Sequence, residues 1–220
     1  ASPLVPALQV LPLALAIIWE PLDVYALLEF LSHPIGPVPG YVRGPLAEVI
    51  AKHPGVGGPR WRETIEDLGR QYPDCVAEIR HTLASWIDHP RYSPMDGAPI
   101  AMVLERVRRV RDYFHAGLHD QNSVLSLANA TGYRQAKAVA VALEALVAQG
   151  ETSITPIAVQ TLVAQCTGRG APNFTMDAQV GCVPSVANPA AVIESFDQVI
   201  WWQMGAPSLP DRYPWRRREL

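Results

Sequence analysis

The chain has 220 residues, of which 49% are apolar and 18% charged, and its formal net charge is -3. This is enough for one well-buried core, or for a main domain with a small appendage. The near-neutral balance excludes a global attraction to nucleic acid, so binding to an anion would need a local cluster of arginines. The cysteines, Cys75, Cys166 and Cys182, show no metal-binding spacing and leave one thiol unpaired in any disulfide scheme, which favours a reducing, cytoplasmic compartment.

The N-terminal stretch 1–18 is apolar, but it contains three prolines and has no basic segment of the kind that begins a signal peptide. The apolar run at 11–19 is too short to span a bilayer, so we predict no membrane segment. The chain begins without Met and ends in the basic stretch WRRREL. We therefore expect it to be a piece of a longer protein.

Proline at a first helical turn recurs along the first half of the chain. Pro12 predicts a short helix with an apolar, buried stretch at 13–19. Pro21 predicts a second helix that runs to about Ser32, with Asp23 near its N-terminal end, where the helix dipole favours a negative charge. His33 and Pro34 then predict its end.

Residues 35–44 are rich in Pro and Gly, which predicts an extended connection. Pro45, Pro59 and Pro73 each predict the start of a further helix. The first of these three should end at His53, because a residue that precedes proline is pushed out of the helical region.

Residues 100–117 form the clearest amphipathic pattern, with apolar residues recurring at helical spacing. The other predicted face is basic, and it is the best local candidate for binding an anion. Two interpretations remain open for that face: contacts to phosphate, or a solvated surface whose charges pair at i,i+4 with residues such as Glu105. The basic residues are Arg106, Arg108, Arg109 and Arg111.

Residues 123–130 and 133–149 are rich in Ala, Leu and Val, which predicts one or two buried helices. Thr155 and Pro156 predict the capped start of a last helix, ending near Cys166. Short strands are predicted at 179–183 and 196–204. The expected fold is therefore mainly α: a bundle-like multi-helix domain at 1–172, followed by a partial β-containing segment at 173–220.

The sequence contains few groups of residues that could bind a metal or a phosphate or carry out catalysis. His115 and His119 lie four residues apart, with Asp120 as a conceivable third metal ligand, but the pair lacks the glutamate that follows the first histidine in zincins. A polar cap at a helix end is the alternative, and a small metal hydrolase is the weakest functional hypothesis. The glycine-rich turn at 55–58 lacks the Lys-Ser/Thr pair of a phosphate loop. We predict no metal and no cofactor.

The segments LPLALAIIWEPLD, VYALLEFLSHP and HPGVGG, within 11–58, resemble the region after motif IV in superfamily 1 helicases of the UvrD/RecB type, where such elements lead into domain 2B. FDQVIWWQM resembles the strand after motif V. Of the motif itself, only Phe196 and Asp197 are recognisable, so its ATP- and DNA-contacting residues cannot be carried over. The combination is similar to the AddB-like subunits of bacterial helicase-nucleases, in which the helicase half is inactivated.

The resemblance implies a 2B-like helical region with neither a Walker A site nor nuclease carboxylates. Such a region would be a non-catalytic scaffold in double-strand-break repair and recombination. Duplex or forked DNA, an AddA-like motor subunit and the rest of the parent chain would be its partners, and the four arginines would be the first candidates for DNA contacts. The alternative is a free-standing α-helical protein-interaction domain with no nucleic-acid role, which docks a partner on its apolar N-terminal segment.

Overall fold

The computed structural model describes residues 5–119 and 123–167, and within these ranges the chain is mainly α-helical, as predicted. Two short 3-10 helices, Pro6–Leu8 and Pro73–Cys75, precede α1 and α5. The strands predicted at 179–183 and 196–204 lie outside the described residues. The α-helices are α1 Val10–Ala16, α2 Val24–Ser32, α3 Gly40–Lys52, α4 Pro59–Gln71, α5 Val76–Trp86, α6 Ile100–Ala116, α7 Ser123–Ala148 and α8 Pro156–Thr167.

Helix α2 begins later than the sequence predicts, because Asp23 is its N-cap residue. The Asp23 carboxylate accepts hydrogen bonds from the backbone N–H groups of Tyr25 (2.9 Å) and Ala26 (3.0 Å). These groups have no partner inside the helix, so the cap fixes the start at Val24. Pro21 therefore precedes α2 and does not lie in its first turn.

Helix α3 begins before Pro45, so the prediction of an extended connection up to Gly44 is wrong for its last residues. Pro45 lies inside the helix, although its missing N–H group removes one backbone hydrogen bond. Val42, Leu46 and Ile50 are fully buried at a spacing of four residues. The apolar stripe thus extends on both sides of the proline, and its packing outweighs the lost bond.

Helix α7 is continuous through Gly132, which settles the open choice between one helix and two. A Cβ atom at Gly132 would lie 2.4 Å from the buried ring of Phe114 on α6. Glycine lets the two backbones approach closely here. This packing, and not the end of a helix, explains why glycine stands in the interior of α7.

Helix α1 lies at the centre of the bundle, in contact with α2, α6, α7 and α8, and α6 packs most extensively against α7. The strands β1 (Ala98–Pro99) and β2 (Ser153–Ile154) pair antiparallel, which places the start of α8 next to the start of α6. No helix in the part of the chain that the structure describes is long and apolar enough to cross a membrane.

Candidate functional site

Arg106 lies in the interior, so its predicted position on an outer basic face is wrong. The residue is only 5% exposed. Its Nε donates to the carbonyl oxygen of Ala14 (3.2 Å), Nη1 to that of Ser85 (2.6 Å) and Nη2 to that of Trp86 (2.6 Å). The guanidinium also lies 5.2 Å from the centre of the Trp86 ring. We call Arg106 and these three partners the Arg106 junction.

Electrostatics explains why the Arg106 guanidinium binds these carbonyl groups. Ala14 lies in the last turn of α1, and Ser85 and Trp86 end α5. Carbonyl groups in the last turn of a helix lack intrahelical partners and carry the negative end of the helix dipole. Burial, with a smaller effect of Arg109, lowers the pKa of Arg106 to about 9, so the side chain stays charged at neutral pH. Arg106 therefore joins two helix ends and does not face solvent.

The other three candidate arginines also have protein partners. Arg109 donates to the Ser85 carbonyl oxygen (2.9 Å), which brings it beside the Arg106 junction, and it pairs with Glu105 within α6. Arg108 pairs with Glu144 of α7 (2.7 Å), and Arg111 pairs with Asp112 (2.7 Å). The side chains of Arg108, Arg109 and Arg111 are 47%, 40% and 33% exposed. The four arginines therefore do not form one continuous exposed basic face.

A small cavity of about 160 Å³ borders the Arg106 junction and is lined by Asp88, His89 and Glu105 among others. The Nδ1 atom of His89 lies 3.1 Å from the Pro90 carbonyl oxygen. Burial, followed by the charge of Arg106, lowers the pKa of His89 to about 4, whereas burial raises the pKa of Asp88. His89 is thus neutral at physiological pH. Positive and negative groups share this cavity, so it has no net preference for an anion.

The structure describes only part of the candidate metal site. His115 lies in the last turn of α6, with its ring 5.4 Å from that of Tyr133. His119 is in the following turn, and Asp120 lies outside the described residues. Over residues 5–119 and 123–167, no three His, Cys, Asp or Glu side chains are grouped so that they could hold a metal ion.

An open groove lies between α1 and α8, with a cavity volume of about 800 Å³, which we call the α1–α8 groove. Leu13 and Ala16 of α1 and Val159, Val163 and Ala164 of α8 are among its apolar lining residues. Volumes of this size are typical of ligand sites. The sequence placed a docking surface on the apolar N-terminal segment but did not predict that α8 forms its other wall.

One signal in the sequence could have indicated the groove. The whole of Pro156–Thr167 contains no charged residue. A surface helix normally carries charged or polar residues on its exposed face, and the polar residues of α8, such as Gln160 and Gln165, are all uncharged. Only Val159 and Val163 of α8 are buried, while Ile157 is 76% exposed. α8 therefore presents an uncharged surface that the described part of the fold leaves uncovered.

The back of the α1–α8 groove is fixed by Gln135 of α7, which is buried. Its Nε2 donates to the Leu8 carbonyl oxygen (3.1 Å) and to Thr167 Oγ1 (2.8 Å). These bonds join the segment before α1 to the end of α8 through α7. Gln135 therefore links the two sides of the groove by hydrogen bonds, in addition to their packing.

Comparison with known proteins gives no match: no protein-family model fits the chain, and no curated protein or solved structure is similar to it. The resemblance to helicases of the UvrD/RecB type consequently stays a prediction. What the chain can do has to be argued from its own geometry.

Proposed function

We propose that this chain is a non-catalytic α-helical interaction module, which binds an apolar partner through the α1–α8 groove. The observation that carries the proposal is the open, mainly apolar groove between α1 and α8. Exposed contiguous apolar surface is uncommon on isolated domains and is typical of docking sites. The function is the alternative that the sequence left open. Its docking element is now the face of α1 that borders α8, because most of the apolar residues at 11–19 are buried.

A second candidate is the DNA-contacting region of a helicase-nuclease that the sequence resemblance implies. The observation that favours it is the partial exposure of Arg108 and Arg111, which leaves their guanidinium groups within reach of a phosphate. Arg106 cannot serve in this role without breaking the Arg106 junction. Each exposed arginine would also have to exchange a carboxylate partner for a phosphate. Because this exchange costs free energy, we rank DNA contact below partner binding at the α1–α8 groove.

The groove can be tested with Nile red, a neutral dye whose fluorescence rises in apolar surroundings. We expect the full chain to enhance its emission to the same extent at low and high salt, since no charge attraction is involved. Ala164→Arg places a long charged side chain in the groove and should abolish most of the enhancement.

Ala158→Arg is the matched control. It makes the same substitution on α8, at an exposed position that does not line the groove. It should leave the dye signal unchanged. An unenhanced signal with the unmodified chain, or equal signals from both variants, would contradict the proposed function.

DNA binding is tested on the same proteins by fluorescence anisotropy with forked and duplex DNA at two salt concentrations. The second candidate predicts a salt-dependent signal that Arg108→Ala combined with Arg111→Ala removes. The interaction module predicts no such signal.

A further inference from the structure

We propose that the occupant of the α1–α8 groove is an amphipathic helix of a partner protein, with a lysine or arginine positioned to pair with Glu29. The inference rests on the proposed function and names the chemistry of the partner. Two properties of the groove support it, its helical repeat and its charge.

The repeat of the lining residues matches helix-in-groove binding. On the α1 side the groove is lined by the N-cap residue Gln9 and by Pro12, Leu13 and Ala16 of α1, which together follow an i, i+3, i+4, i+7 pattern. On α8 the same pattern runs over the whole of Pro156–Thr167, or about 18 Å at the rise of an α-helix. Ridges spaced in this way accept the side chains of a third helix. An occupant of about twelve residues would match the length of α8.

The charge of the groove comes from Glu29 of α2, the one charged side chain among the described residues that line it. Glu29 is exposed and shares a face of α2 with Ala26, another lining residue. Its carboxylate makes no ion pair or hydrogen bond within residues 5–119 and 123–167. A cation on the occupant would complement it. Tyr25, which is 81% exposed and lies one turn from Glu29, offers further surface at this edge.

A second copy of this chain is a poorer fit. Its exposed uncharged helix would be α8, but α8 carries no lysine or arginine that could pair with Glu29. A small apolar molecule would fill the volume but would leave Glu29 without a role. The helix with a basic residue is the occupant that accounts for both the apolar walls and the carboxylate.

The test uses the full chain and a fluorescein-labelled peptide of about twelve residues, the length of α8. The peptide has leucine at i, i+3, i+4 and i+7 and lysine at the flanking positions. We expect saturable binding by anisotropy that Ala164→Arg abolishes. Glu29→Lys should weaken binding about three- to tenfold, which is the loss expected when one charge of an exposed ion pair is reversed. A peptide with glutamate in place of lysine should regain affinity for Glu29→Lys.

Glu63→Lys is the matched control for net charge, because Glu63 is exposed on α4 and does not line the groove. It should leave peptide affinity unchanged. The same affinity for Glu29→Lys as for the unmodified chain would overturn the charge pairing. Absence of peptide binding by a chain that still binds Nile red would overturn the helical occupant but leave the proposed function standing.

Two further outcomes would also overturn the inference. Sedimentation that shows a dimer, lost in Ala164→Arg, would assign the groove to a second copy of the chain. Cross-links from Ala164→Cys to residues beyond Thr167 of the same chain would assign it to the chain itself. If Nile red binding fails as well, the proposed function falls together with the inference.

Discussion

The Arg106 junction and the α1–α8 groove both involve α1, yet they differ in how their groups are matched. In the junction, a buried cation has carbonyl partners from α1 and α5. In the groove, apolar walls from α1 and α8 have no covering element among the described residues. Among the described residues, the charged cluster of α6 contains one buried arginine and three that pair with acidic side chains, whereas the uncharged helix α8 borders an open groove.

Arg106 is not alone in binding a helix end. The Nη1 atom of Arg43 donates to the carbonyl oxygens of His33 (2.6 Å) and Pro34 (3.3 Å), at the end of α2. Arg109 binds the Ser85 carbonyl oxygen at the end of α5. Arg43 therefore binds carbonyl groups just beyond the last residue of α2, as Arg106 and Arg109 bind carbonyl groups at the end of α5.

The largest expected effect is at the junction itself. Arg106→Met should lower the free energy of unfolding by about 3–5 kcal/mol, because it leaves the carbonyl groups of Ala14 and Trp86 without this donor and that of Ser85 with Arg109 alone. Arg106→Lys keeps the charge but not the fork of donors, so it should lose a smaller part of this stability. Urea unfolding followed by circular dichroism measures both.

Arg108→Ala is the control for removing an arginine from α6. Its pair with Glu144 is about half exposed, so the loss should be about 0–1 kcal/mol. Similar losses for Arg106→Met and Arg108→Ala would show that the junction does not hold the helix ends together.

The close packing of α7 against α6 can be tested at Gly132. Gly132→Ala should destabilise the chain by about 1–3 kcal/mol, because the new methyl group meets the buried ring of Phe114. Gly69→Ala is the matched control in α4, where the nearest atom to an added Cβ is 3.7 Å away, an ordinary van der Waals distance. There the substitution should stabilise by about 0.5–1 kcal/mol through helix propensity. Changes of the same sign in thermal unfolding would contradict the close approach of α6 and α7.

The cavity beside the junction predicts a dependence on pH. Because burial lowers the folded pKa of His89 to about 4, from its ordinary 6.5, the unfolded chain binds the proton first as pH falls. The stability from neutral His89 is therefore present above pH 6.5 and is lost as pH falls towards 4. Since His89 is partly exposed, we expect a loss of about 1 kcal/mol between pH 7 and pH 5. His89→Gln should remove this part of the slope in urea titrations, and an unchanged slope would argue against the burial of the ring.

The smallest expected change in stability is at the groove. Ala164→Arg should alter the free energy of unfolding by less than about 0.5 kcal/mol, because Ala164 is exposed. The same variant should lose the binding of Nile red. A large loss of stability would mean that the groove is part of the core, which would remove its contrast with the junction.

The helical class and several element boundaries could be predicted from local patterns in the sequence. Proline marked the start of α4, and His53 before Pro54 marked the end of α3. The apolar stripe of α6 was read correctly from its period, from Ile100 to Phe114. These features are local, since proline geometry and helical periodicity act within a few residues. The proposed arginine contacts to DNA stay a prediction for Arg108, Arg109 and Arg111.

The direction of the Arg106 side chain follows from tertiary contacts, because its carbonyl partners lie 92, 21 and 20 residues away in the chain. Tertiary contacts also explain why α3 runs through Pro45 and α7 through Gly132, where packing against distant residues outweighs local propensity. The α1–α8 groove likewise needs two helices that are far apart in sequence to lie side by side. Local sequence patterns do not indicate which helix ends and faces contact each other. In this protein, those contacts define both the Arg106 junction and the α1–α8 groove.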